Sequence, residues 1–589
     1  MIKAGLFRIL AAVLVFGAIA SGLAQQQERT YEPVTDEMLL NPDPAEWLNW
    51  RGTLDLHGYS ELDQINRETV GDLELAWAFP MPTGGMQEIS PLVHDGIMYW
   101  ASNDNIVQAV DAATGELIWE YRHVLPEFEG GYHNYQRMRQ KNSVALYDDS
   151  VILSTVDAKL MSLDALTGQV EWEVQVHDWE AGYSYTAGPV VYDGVIYAGI
   201  SGCSMTGTAG GCYITAHDVE TGEEIWRVNT LADPQNEEVD ASWNGLPVES
   251  RWGATPWTTG SVDPELGLTY WGTGMPIPYP EIIRGSGDGD ALYTNSTLAL
   301  DMETGEIAWY FQHLPRDNWD LDSPFERVLI DTEIDGEERS LLVTIPGKSS
   351  IAFALDRETG EFIWARDTIY QNVVTEIDPE TGEVTLNEEL IPTEVGQEVM
   401  VCPSLSGGKL WQAVSYSPLT NAMYAPLAET CNTVSPSPSE FLPGEAVGAT
   451  SIGPRVLPPN QEEAGAIFAI DVTTGEHLWV HRQRPIFSGS VLTTAGGLLF
   501  AGDAARFLKA FDQETGEVLW ETRLNSPIGG YMMTYEIDGE QYLAVPTGEV
   551  AQASSAASLF PEFPLVSGSN SLFVFKLPND TGESAAAKE

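Results

Sequence analysis

A nine-residue motif recurs seven times along this chain: an aspartate closing an apolar run, a turn through Thr-Gly, and a terminal tryptophan. The copies begin at Asp111, Asp164, Asp218, Asp301, Asp356, Asp471 and Asp512 and read DAATGELIW, DALTGQVEW, DVETGEEIW, DMETGEIAW, DRETGEFIW, DVTTGEHLW and DQETGEVLW. A strand, turn and strand of this size buries little apolar surface alone, so the copies must stack on their neighbours. The repeat therefore constrains the architecture before any catalytic residue is considered.

A second recurring piece lies upstream of several copies. PLVHDGIMYW at 91–100 and PVVYDGVIYAG at 189–199 are alternating strands joined by Asp-Gly turns, and SVALYDDSVIL at 143–153 and SVLTTAGGLLFAG at 490–502 are looser versions. Each unit thus reads as antiparallel hairpins with Thr-Gly at the outer turn. The intervals between copies are 53, 54, 83, 55, 115 and 41 residues. The 83-residue interval holds a long excursion at about 236–290, while the 115-residue interval has room for an unmarked unit built on SYSPLTNAMYAPL at 415–427. Asp378 to Val384, DPETGEV, lacks the tryptophan and reads as an inserted hairpin. The expected fold is an all-β, eight-bladed β-propeller, closed by pairing LELAWAF at 73–79 with SLFVFKLP at 571–578 so that open edges disappear. The segment before residue 40 is expected to wrap loosely.

Residues 1–24 read as an export signal: Lys3 and Arg8 precede an apolar run that is too short to span a bilayer, and Ser21-Gly22-Leu23-Ala24 supplies small residues for cleavage. Residues 25–589 then form a single propeller domain in the periplasm. In that oxidising setting, Cys203 with Cys212 and Cys402 with Cys431 is the simplest of three disulfide pairings. No CxxC or CxxCH segment occurs, which argues against a zinc cluster or an attached haem. The 87 acidic and 28 basic residues leave a net charge of −59. Such a field repels nucleic acid and anionic lipid, and suits either a salty habitat or a basic partner.

No P-loop or GxGxxG fingerprint is present, so nucleotide cofactors are not expected. The densest irregular stretch is 249–293, where Trp257 and Trp271 are flanked by Gly and Pro and Asp290 sits in a Gly-rich run. An indole face beside a carboxylate suits a planar, charged cofactor with a base at its reactive edge.

At this point the chain resembles the quinoprotein alcohol dehydrogenases, periplasmic eight-bladed propellers that hold pyrroloquinoline quinone and usually calcium. The resemblance runs from about 36 to 578 and rests on ELDQINRETVGDLELAW at 61–77, the repeats, WGATPW at 252–257, LYTNSTLALD at 292–301, LPRDNWD at 314–320 and MTYEIDGEQYLAV at 533–545. PVTDEMLLNPDPAEW, GCSMTGTAGGC and ARDTIYQN look most like the subgroup that oxidises sugars and complex secondary alcohols, such as sorbose and sorbosone dehydrogenases. The resemblance implies that Trp257 stacks on the quinone and Thr255 hydrogen-bonds it. It also implies that Glu88 and Thr155 contact cofactor carboxylates, that Ser201 and Gly202 line the site, and that Lys348 hydrogen-bonds the quinone carbonyls. Asp290 matches the catalytic aspartate, which also approaches calcium.

The chain departs from the family pattern at the metal. The calcium-binding glutamate falls on Ser204 and the asparagine ligand on Met275, a soft sulfur unsuited to calcium, so Asp288 becomes a substitute candidate. Leu292 stands where lanthanide-dependent members carry a second aspartate. The adjacent-cysteine disulfide that roofs the cofactor in many relatives is missing, and GGYHNYQRMRQKN at 130–142 stands there instead. A family arginine falls near Asn142, so Arg139 or Lys141 is expected to face the cofactor carboxylates, under a roof wide enough for bulky alcohols. The aspartates of RDNWDLDSPFE at 316–326 read as turn-fixing around Trp319. The expected activity is oxidation of an alcohol, polyol or sugar, with electrons passed to a soluble cytochrome c. The rival class is a non-catalytic propeller scaffold, which has no need of Trp257, Asp290 and Lys348 together.

Overall fold

The computed structural model of the protein describes residues 29–126, 143–204, 210–231, 237–334, 336–438, 447–566 and 568–578. The Thr-Gly motif closes the outer hairpin of each of seven sheets. In the first, Leu92–His94, Ile97–Ser102, Ile106–Asp111 and Leu117–Arg122 pair antiparallel in chain order. The middle two strands are buried almost throughout, and the last alternates exposed and buried positions. Middle strands covered on both faces explain the continuous apolar runs before each motif aspartate.

The motif is a self-contained turn. Asp164 Oδ1 accepts from the Thr167 backbone N–H at 2.7 Å and from its hydroxyl at 2.6 Å, and the Gly168 N–H returns to the Asp164 carbonyl at 2.8 Å. Gly168 has φ +69°, and a Cβ there would stand 2.5 Å from the Trp119 ring of the preceding sheet. That tryptophan donates Nε1–H to the Ala165 carbonyl. Trp77, Trp119, Trp172, Trp226, Trp309, Trp364 and Trp479 each do the same to a backbone carbonyl of the next sheet, at 2.8–3.2 Å. Each indole is thereby packed against a glycine with its polar edge satisfied. The terminal tryptophan of one unit is the lock on the next.

The eighth sheet and its closure differ from expectation. The stretch 415–427 is not a separate unit. Ser415–Ser417 and Ala422–Ala428 pair with Gly465–Asp471 and His477–Gln483, and so form the first half of the sheet that carries the sixth motif. The long interval instead contains two insertions, the hairpin Val374–Ile377 with Val384–Leu386 and a three-stranded sheet of Val399–Val401, Cys431–Pro436 and Thr450–Val456. The eighth sheet is built from the chain ends, in the order Glu74–Pro80, Ser571–Lys576, Glu540–Thr547, Met533–Ile537. The terminal strands do pair, but this closes nothing: no sheet closes on itself. Glu74–Pro80 bonds on one side only, and it and Met533–Ile537 remain edges. The fold is an all-β, propeller-like set of open sheets held to one another by side chains, and Trp520 of the seventh meets Phe575 of the eighth edge-on at 6.2 Å.

Of the segment before residue 40, the described stretch 34–40 is docked rather than loose. Asp36–Leu40 is a helical turn capped by Thr35, Val34 bridges Asp148, and Val34 and Leu39 are buried. Both disulfides form as expected, Cys203–Cys212 and Cys402–Cys431.

Candidate active site

WGATPW is irregular because its backbone is claimed from two sides. Trp252–Gly253 pairs with Pro276–Ile277, while the Gly253 N–H donates to the Cys203 carbonyl at 3.1 Å. The following turn delivers Trp257 half-buried onto an aromatic bed of Trp50, Trp411 and Tyr531, which comes from three distant parts of the chain. The Tyr531 ring lies 5.3 Å from Trp50 and 5.6 Å from Trp411, and its hydroxyl donates to the Trp411 carbonyl. Phe325 meets Trp257 edge-to-face at 5.4 Å. Trp257 is thus anchored among aromatic neighbours while remaining partly exposed.

Several of the expected residues converge here. Thr186 Oγ1 donates to the Trp257 carbonyl at 3.3 Å and lies 3.1 Å from Ser201 Oγ. Gly202, at φ +98°, approaches so closely that a Cβ would stand 2.1 Å from the Gly182 carbonyl. Thr155 is next along, its carbonyl accepting from the Tyr185 N–H, but its hydroxyl accepts from the Lys159 N–H at 3.0 Å and so fixes its own turn. Glu88 is buried and makes no hydrogen bond among the described residues; desolvation pushes its carboxyl up to about 8. Burial, then the charges of Glu88 and Glu326, hold the Tyr531 hydroxyl well above its ordinary value.

Lys348 occupies a buried clasp. Its Nζ lies 2.8 Å from Asp320 Oδ1 and 2.8 Å from Asp322 Oδ2. Burial disfavours the ammonium, yet the two carboxylates outweigh it and hold the lysine above its ordinary value. Asp322 Oδ1 also accepts the Met275 N–H at 3.2 Å, and the neighbouring Gly274 N–H bonds the Thr255 carbonyl at 3.1 Å, which ties the clasp to the Trp257 loop. Asp317 takes the turn-fixing role expected of this segment, accepting from the Trp319 and Leu321 N–H groups at 2.7 and 2.6 Å. The clasping role of Asp320 and Asp322 was missed, although carboxylates two residues apart were a signal for one shared partner. Glu326 was missed as well. It holds the fully buried Lys409 at 3.0 Å, beneath Phe325.

The remaining expected residues are not gathered. Asp290 lies on an exposed loop; its carbonyl accepts from Gln312 Nε2 at 2.8 Å, its carboxylate has no hydrogen bond among the described residues, and partial burial raises it. Asp288 is exposed and accepts from Asn244 Nδ2 at 2.9 Å, which lowers it. Ser204 is held through its carbonyl by the Val447 N–H. Among the described residues no hydrogen bond or ion pair joins Asp290 to Lys348, Asp288 or Ser204, although Asp288's charge acts on it, and no three His, Cys, Asp or Glu side chains converge as a metal site would require. Arg139 and Lys141, like residues 1–24, lie outside the described residues.

A partly exposed tryptophan on one loop and a buried ammonium linked through Asp322 to the segment that pairs with that loop are groups of the kind a planar anionic cofactor needs. A sequence profile described as "PQQ: Glucose/ethanol/alcohol dehydrogenase, beta-propeller domain" matches residues 47–385 and 368–543. The chain is 31% identical to the quinoprotein alcohol dehydrogenase PedH of Pseudomonas putida over 98% of both chains. It is 32% identical to the dehydrogenase subunit of a quinone alcohol dehydrogenase of Komagataeibacter europaeus, over 93% of this chain and 78% of that one. The structure of a europium-containing methanol dehydrogenase superposes with a TM-score of 0.84 at 26% identity, covering 92% of this chain and all of that one. The chain belongs to the quinoprotein alcohol dehydrogenase family. It is a dehydrogenase that uses pyrroloquinoline quinone to oxidise an alcohol substrate.

The residues present fit that quinone. Its rings suit the partly exposed Trp257, and its carboxylates suit Glu88, which with a pKa of about 8 is protonated near neutral pH and so a donor. The calcium part of the expectation does not fit the donors present. Ser204 and Met275 replace carboxylate and amide, and Asp288 is engaged by Asn244.

Proposed function

We propose that Trp257 carries the quinone on its indole, that Lys348 donates to a quinone carbonyl oxygen, and that Asp290 is the base for the alcohol. Thr255, Ser201, Gly202, Thr155 and the protonated Glu88 hold the cofactor's edge and carboxylates, joined by Arg139 or Lys141. The observation that carries this reading is the buried Lys348 ammonium, fixed beside the loop that presents Trp257. When bound, the quinone accepts the hydride leaving the alcohol carbon. The chain's own task is orientation and charge: Asp290 takes the hydroxyl proton on its unpartnered carboxylate, and Lys348 opposes negative charge on the oxygen it faces. No step is assigned to calcium, because its expected ligands are not assembled.

The substrate class we favour is a polyol, sugar or bulky secondary alcohol, on the strength of segments that resemble those of sorbose and sorbosone dehydrogenases. Residues 1–24 serve as an export signal for a single periplasmic domain over 25–589. No helix among the described residues is long and apolar enough to cross a membrane. A soluble, basic cytochrome c suits the charge of −59 as electron acceptor at low salt.

The test is reconstitution of apo-protein with the quinone, then dye reduction over a panel of simple alcohols, polyols and aldoses. Turnover confined to methanol-sized alcohols overturns the substrate class, and failure to bind the quinone overturns the site.

A further inference from the structure

An ammonium has three donors, and the clasp uses two of those on Lys348. Asp320 and Asp322 each take one at 2.8 Å, and the third has no partner among the described residues although the side chain is only 6% exposed. A buried donor left unpaired is destabilising, so its direction marks where a ligand acceptor belongs.

The clasp is rigid. Asp322 is braced on the Met275 N–H, and at Gly274 any Cβ would stand 2.7 Å from Asp322 Oδ1, so only glycine admits the carboxylate there. The Lys348 N–H returns to the Asp322 carbonyl at 3.0 Å, tying both partners of the ion pair through their backbones as well. Met275, whose amide braces the clasp, is the residue that stands where an amide metal ligand was expected. A fixed ammonium, its charge already opposed by Asp320 and Asp322, thus lies beside the position that has lost its metal-binding side chain.

We propose that the Lys348 ammonium, held by Asp320 and Asp322, is the built-in cation of the quinone site, and that this chain binds its quinone without a divalent metal. The inference rests on the reading that Lys348 faces the quinone carbonyl. Asp320 and Asp322 are positioning residues: they keep the ammonium charged and aim its remaining donor. Where a bound ion would neutralise and polarise a carbonyl oxygen, a lysine supplies charge and hydrogen bond together.

The whole protein, stripped with EDTA, is titrated with pyrroloquinoline quinone by tryptophan quenching, with and without calcium, and the loaded protein is assayed for metal by elemental analysis. The expected result is a Kd that differs by less than about threefold between the two conditions, with metal far below one equivalent. Calcium tightening binding by about tenfold or more, with about one metal per chain, overturns this proposal while leaving the quinone reading intact. No binding in either condition overturns both. In the chelated protein, Lys348→Met and Asp322→Asn should each weaken binding about tenfold, and Lys348→Arg should recover part of the loss. If folded Lys348→Met binds as tightly as the parent, the proposal falls; if that variant does not fold, the parent's response to calcium decides.

Discussion

Lys348 and Asp322 meet twice: Nζ lies 2.8 Å from Oδ2, and the Lys348 backbone N–H donates to the Asp322 carbonyl at 3.0 Å. The double link makes the lysine part of the scaffold rather than a mobile surface charge. Because Asp322 also accepts from the Met275 N–H, a single carboxylate couples the cation to the segment that pairs with the Trp257 loop.

Trp257→Ala removes the partly exposed indole while leaving the bed of Trp50, Trp411 and Tyr531 in place. Loss of base-like stacking costs about 1–3 kcal/mol by analogy with aromatic stacking of planar ligands. Quinone affinity should therefore fall by about tenfold to a hundredfold, with little change in the denaturation midpoint. Fluorescence and calorimetric titration of the same preparation check both parts.

Asp290→Asn should lower turnover about a hundredfold or more while quinone binding stays within about threefold of the parent, as the proposed role of base, without cofactor contact, requires. The pair of measurements is dye-reduction kcat and quinone Kd. Equal turnover with bound cofactor would exclude Asp290 as the base.

Glu88 sets a pH dependence of definite sign. Its carboxyl is raised by burial from 4.5 to about 8, so between these values the folded chain holds a proton that the unfolded chain has released. Stability from this group is full below about pH 4.5 and declines as pH rises through about 8. Urea midpoints of the parent should fall over that window relative to Glu88→Gln, which cannot titrate. Quinone binding should weaken above about pH 8 in the parent and not in the variant, because the amide keeps a donor.

The tryptophan lock is tested at Trp119 and Gly168. Trp119→Phe deletes the N–H to the Ala165 carbonyl and should cost about 1 kcal/mol. Gly168→Ala places a Cβ against the Trp119 ring at a positive φ and should cost more, roughly 2 kcal/mol. Chemical denaturation ranks the two, and the reverse order would contradict the packing role assigned to the glycine.

The motif made the repeat, its Thr-Gly turn and the structural place of its tryptophan legible in the amino-acid sequence, because Asp164 with Thr167 and Gly168 is a local hydrogen-bonded unit needing no distant partner. The inserted hairpin at Asp378 and both disulfides were readable for the same reason. Which strands complete a sheet was not. Ala422–Ala428 pairs with Gly465–Asp471 of the sixth motif sheet across about 40 residues, and Glu74–Pro80 finds Ser571–Lys576 from the opposite end of the chain, choices fixed by burial of both faces and not by local pattern. The same division holds at the site. Trp257 stood out through its Gly and Pro setting and Lys348 through its resemblance to a family lysine. That Asp320 and Asp322 clasp Lys348, that Phe325 supports Trp257, and that Asp288 belongs to Asn244 are relations between segments far apart in sequence. Sequence determined the repeating turn and the chemical types available; tertiary structure decided which charges are buried together, because only packing sets the distances on which their energies depend.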